Sequence, residues 1–165
     1  MSVTADRTQT GVRVLNNFIG GKWVPSTGEQ LDVTNPATGE VLCRVPLSSK
    51  AELETAVAAA RAALPEWRKR AVIERARWLF GLRQALEART DDLAACVTRE
   101  MGKTFPDAQA EVARMIEMVE AATAVPQTMQ GRILEGVATN VDCETIRQPV
   151  GVVAAITPFN FPAMV

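Results

Sequence analysis

One hundred and sixty-five residues, 47% of them hydrophobic, suffice for one ordinary domain with its own core. The formal net charge of -1, from 18 basic and 19 acidic residues dispersed along the chain, argues against a nucleic-acid or membrane-surface binder. No apolar stretch approaches the ~18 residues that span a bilayer, and the absence of histidine removes histidine metal sites and histidine-activated nucleophiles.

The first sixteen residues, polar and rich in Thr, lack the apolar centre of a secretory signal and read as a disordered leader. Residues 17–46 read as β structure with turns. Gly20-Gly21 separates Phe18-Ile19 from Trp23-Val24, a hairpin signal. Asn35-Pro36-Ala37-Thr38-Gly39-Glu40 is a turn before a strand over Val41 to Val45.

Four helices are expected next. Ser49 with Glu52 makes a capping box, and Leu53, Ala56, Val57, Ala60 and Leu64 form an apolar stripe that Pro65 should end. A second helix spans about Ala71 to Arg89. A third starts at Thr90, with Asp91 and Asp92 at its positive end, and stops at Gly102. The fourth starts at Thr104, tolerates Pro106 in its first turn and runs to about Val125.

Residues 131–149 place Ile133, Val137, Val141 and Ile146 among polar residues, the pattern of a two-stranded arm outside the core. From 150 to 156, six of seven residues are Val, Ala or Ile, which predicts a strand buried on both faces of a parallel sheet. It leads into Thr157-Pro158-Phe159-Asn160-Phe161-Pro162, a proline-stiffened loop around one carboxamide. Ligands of open α/β sheets bind at such carboxyl ends. Cys43, Cys96 and Cys143 are too far apart for a Cys-x-x-Cys pair and read as three buried, reduced thiols. Absent signals and reduced cysteines point to the cytoplasm, or the mitochondrial matrix in a eukaryote.

Four pieces, in order, resemble the N-terminal third of an aldehyde dehydrogenase: Asn17-Phe18-Ile19-Gly20-Gly21-Lys22-Trp23-Val24, the 35–40 turn, Glu100-Met101-Gly102-Lys103, and Gly151 through Pro162. Glu40-Val41-Leu42-Cys43 with Val45-Pro46, Phe159, and Phe161-Pro162-Ala163-Met164-Val165 are most similar to the CoA-acylating methylmalonate-semialdehyde dehydrogenase branch. The resemblance implies an α/β fold: hairpin, four helices, an oligomerisation arm and the first strand of a Rossmann-like sheet. It divides the chain into the leader (1–16), the N-terminal part of an NAD-binding domain (17–130), the β arm (131–149), and the first strand and active-site loop of the NAD-binding core (150–165). It also implies an N-terminal fragment that is inactive alone.

In that family a cysteine thiolate attacks the aldehyde and a hydride passes to NAD. By resemblance Asn160 supplies a donor to the oxyanion, while Ile156, Thr157, Pro158 and Phe159 line the NAD cleft. Arg114 matches an arginine that holds the substrate's carboxylate. The residues themselves leave alternatives open. Asn160 could bond within its own loop, Arg114 could be an ion-pair residue with Glu111 or Glu117, and the 156–159 stretch could be a buried strand end. Lys103 and Glu100 read as a solvated helix end, and the three cysteines as packing residues. The resemblance implies a small semialdehyde substrate, CoA as co-substrate, a homo-oligomer (tetramer or dimer), and no metal. The other readings are a hydrolytic aldehyde dehydrogenase and a short assembly module whose arm pairs with a partner's sheet edge.

Overall fold

A computed structural model describes residues 11–165. Its first part is two small antiparallel ribbons. β1 (Asn17–Ile19) and β2 (Lys22–Val24) meet with Phe18 opposite Trp23, their ring centroids 4.9 Å apart. Gly20 and Gly21 both have positive φ, 58° and 79°, as the tightest hairpin turn requires. β3 (Gln30–Thr34) pairs with β4 (Val41–Pro46). The turn between them is closed by the Gly39 amide donating to the Asn35 carbonyl at 2.8 Å and the Ala37 amide donating to Asn35 Oδ1 at 2.9 Å. β3 was not singled out by the sequence, because its alternation of Leu31 and Val33 is too short to stand apart from the surrounding turns.

The first ten residues of the expected leader lie outside the described residues. Its end is not disordered: Val14 makes a parallel bridge with Arg44, and the Leu15 amide donates to the Arg44 carbonyl at 2.8 Å.

The helices follow as expected, with one correction. α1 (Lys50–Lys69) has the full Ser49–Glu52 capping box, but Pro65 lies inside the helix rather than at its end. Proline removes one donor, and here the carbonyl it deprives belongs to the exposed residue Arg61, where water can replace the lost bond. α2 (Val72–Glu87) and α3 (Thr90–Met101) each pack against α4 (Phe105–Ala122), and a single turn, α5 (Val125–Thr128), ends the helical part. The core lies between α3 and α4: Ala94, Val97, Ala108 and Val112 are buried, with Leu93, Met115, Ile116 and Ala163 packed on it. Small residues at Ala94 and Ala108 let the two helices approach closely, and Ala163 brings the C-terminal loop onto the same core.

The arm is a ribbon of β5 (Arg132–Ala138) and β6 (Val141–Thr145), exposed at every residue. Residues 150–156 differ from the expected buried strand. They belong to no strand, and Val150 and Ile156 are 93% and 99% exposed. A strand exists only with neighbours to pair with, and among the described residues no strand pairs with this segment. The cysteines also differ from expectation. Cys43 is buried, whereas Cys96 and Cys143 are exposed and all three are free.

Candidate active-site groove

The geometry around Asn160 is set at the α3–α4 junction. α3 stops at Gly102, whose φ of 88° lets its amide bond back to the Thr98 carbonyl at 2.9 Å and turns the chain sharply. α4 then starts from Thr104, whose Oγ1 accepts from the Asp107 amide, with Pro106 in the first turn. Lys103, held between these two caps, points inward rather than to solvent, its side chain only 12% exposed.

Lys103 Nζ makes an ion pair with Glu111, two turns into α4 and 3% exposed. The same ammonium donates to the Asn160 carbonyl at 3.1 Å and lies 4.5 Å from the centre of the Phe161 ring. Glu111 Oε1 accepts the Ala163 amide at 2.8 Å, and the Met164 amide also donates to this carboxylate. Burial pushes the Glu111 carboxyl up. The hydrogen bonds and charge of Lys103, with the two loop amides, outweigh that and hold it below the usual carboxylate range. Four of the five residues from 160 to 164 are thus held by one buried ion pair.

Asn160 is fixed through its backbone while its side chain is exposed, and among the described residues its carboxamide has no hydrogen-bond partner. It lines an open groove of about 570 Å³ together with Phe161, Met164, Lys103, Asp107 and Arg114. Arg114 and Asn160, 46 positions apart in sequence, therefore face one space. Arg114 also donates to Glu117 at 3.0 Å across one turn, and its side chain remains 66% exposed. Of the two carboxylates the sequence offered it, Glu111 is taken by Lys103.

On the other side of the loop, Phe159, Pro162 and Ala163 border a second, apolar concavity of about 520 Å³ with Pro36, Leu93 and Cys96. Ile156, Thr157 and Pro158 border neither space, and all three are exposed. Cys96 Sγ lies 3.4 Å from Glu100; although the residue is exposed, partial desolvation of its sulfur, followed by that carboxylate, pushes the thiol up, the wrong direction for a nucleophile. Burial likewise raises the Cys43 thiol. No cysteine lines the Asn160 groove. Among the described residues no cluster of three His, Cys, Asp or Glu side chains is placed to hold a metal, and no helix is long and apolar enough to cross a membrane.

The residues that sequence reasoning missed are Lys103 and Glu111. The only local signal is a lysine directly after a helix-stopping glycine, which is more often solvated.

Comparison with known proteins follows the same lines. Malonate-semialdehyde dehydrogenase 3 of Geobacillus kaustophilus (strain HTA426) is 54% identical over 157 residues, 94% of this chain and 32% of the relative. Malonate-semialdehyde dehydrogenase 1 of the same strain is 46% identical over 166 residues, 100% of this chain and 33% of the relative. A Sinorhizobium meliloti 1021 structure, described as a methylmalonate-semialdehyde dehydrogenase complexed with NAD, superposes with a TM-score of 0.87 at 41% identity, over 94% of this chain and 32% of that one. The chain thus spans about a third of the length of the curated relatives it matches. The sequence pattern of the aldehyde dehydrogenase family matches residues 23–165, and the chain belongs to that family.

Proposed function

We propose that these residues supply the oxyanion-donor and substrate side of an NAD-dependent semialdehyde dehydrogenase of the malonate or methylmalonate type, which passes its acyl group to CoA. The observation that carries the reading is that Asn160, with an uncommitted carboxamide, and Arg114 line one groove. Asn160 Nδ2 donates to the oxygen that gains charge when the aldehyde carbon is attacked. Its amide keeps its donors at every working pH. Arg114 grips the carboxylate at the far end of the substrate with its planar fork, and Asp107 in the same groove disfavours a second negative group. The relatives' names, malonate- and methylmalonate-semialdehyde dehydrogenase, support an anionic aldehyde as substrate.

NAD, when bound, accepts the hydride from the reacting carbon. Ile156, Thr157, Pro158 and Phe159, all exposed, would form one wall of its cleft. They do not fit the phosphates, since no glycine-rich loop opens a helix there. In this reading the cysteine nucleophile is none of Cys43, Cys96 and Cys143, the 165 residues alone form no NADH, and the exposed β5–β6 ribbon is an oligomerisation arm.

Steady-state kinetics of the intact protein that carries these residues test the reading. Asn160→Ala should lower kcat by about 10²–10³. Arg114→Ala should raise KM for a carboxylate-bearing semialdehyde and leave KM for an uncharged aldehyde unchanged. An Asn160→Ala kcat equal to wild type overturns the oxyanion role. Free acid rather than acyl-CoA as product with CoA present replaces the acylating reading with the hydrolytic one.

A further inference from the structure

We infer that Lys103 and Glu111 are a positioning pair for Asn160: their buried ion pair holds the 160–164 loop by its backbone and so aims the Asn160 carboxamide into the groove. The inference rests on the proposed oxyanion role of Asn160.

Three observations carry it. The pair is buried, 12% and 1% exposed at the side chains, and burying two charges is costly unless their remaining hydrogen bonds are met. Those bonds go to the loop: the Asn160 carbonyl on Lys103 at 3.1 Å, and the Ala163 and Met164 amides on Glu111. Lys103 also covers the face of Phe161, the residue next to Asn160. An apolar pair of the same volume would fill the space without the desolvation cost, but it could not fix the direction of three backbone groups. Direction is what an oxyanion donor needs, since the useful range is about 2.7–3.1 Å from the developing charge. A misplacement of about 1 Å costs on the order of 10²-fold. The main chain of Asn160 is thus held while its side chain stays exposed.

A double-mutant cycle on kcat in the intact protein tests this, with Lys103→Met, Asn160→Ala and the two combined. Lys103→Met should lower kcat at least about tenfold with KM for NAD unchanged. The double variant should match Asn160→Ala within about twofold, because a positioning residue has nothing left to aim once the carboxamide is gone. Losses that multiply overturn the inference, as does a Lys103→Met kcat within about twofold of wild type while Asn160→Ala is crippled. An unimpaired Asn160→Ala instead sinks the oxyanion reading, and this inference falls with it. Should Lys103→Met not fold, Glu111→Gln, which keeps the shape and weakens the hold on Lys103, enters the same cycle with the same outcomes.

Discussion

Glu111 is the residue on which the loop's stability turns. Its carboxyl is held below the ordinary glutamate value of about 4.3 by Lys103 and two amides. The stabilisation is therefore complete above the unfolded value and is lost as pH falls through the lower, folded one, because the unfolded state binds the proton more readily in between. Melting temperatures measured from neutral pH down to about pH 3 should show this as an acid-side decline that is shallower in Glu111→Gln. The substitution should also lower stability at neutral pH by about 3–5 kcal/mol, since it leaves a buried ammonium without its counter-charge. Parallel pH curves for the two proteins would refute this account. Sequence could not have pointed to it. The Arg114–Glu117 pair was legible because helical neighbours three apart lie within reach of each other. Lys103 and Asn160 are 57 positions apart, and their meeting depends on how α3, α4 and the loop pack. Asn160 stood out because prolines and an apolar run framed it and because that loop resembles the family's active-site loop.

At the scale of elements, the α3–α4 corner is what places Lys103, and Gly102 makes the corner. A Cβ added there would sit 2.9 Å from Pro36 Cγ, in a backbone conformation that L side chains rarely adopt. Gly102→Ala should therefore cost about 1–2 kcal/mol from the left-handed backbone alone, or a fall of roughly 2–8 °C in melting temperature. Gly81→Ala makes the control. Gly81 lies in α2 with no atom within 4 Å of the added Cβ, so the change should stabilise by about 0.5–1 kcal/mol. Equal melting of the two variants would show that the corner is not strained. Caps and stops were the best-read features of the chain: Ser49, Gly102 and Thr104 act where their chemistry requires. Pro65 misled because a local rule was applied to an exposed helix that can tolerate one missing bond.

For the molecule as a whole, the unmet demand is apolar. Residues 150–156 have the composition of a strand but no pairing partner among the described residues: Val150, Val153 and Ile156 are 93%, 75% and 99% exposed, with Phe159 at 88% just beyond. Composition records how strongly a segment favours burial, whereas a ladder requires specific neighbours. The β5–β6 ribbon exposes further apolar residues, Ile133 and Leu134. A run of this kind with unpaired backbone groups is a template for another chain. The 165 residues expressed by themselves should therefore self-associate as concentration rises and bind a hydrophobic dye. Val153→Thr with Ile156→Ser should reduce both without changing the helical circular dichroism, because neither residue touches the α3–α4 core. Sedimentation velocity over a hundredfold concentration range decides it. A single monomeric species throughout, in the unsubstituted chain, would mean that this apolar surface is covered from within and that the 150–156 segment needs no neighbour.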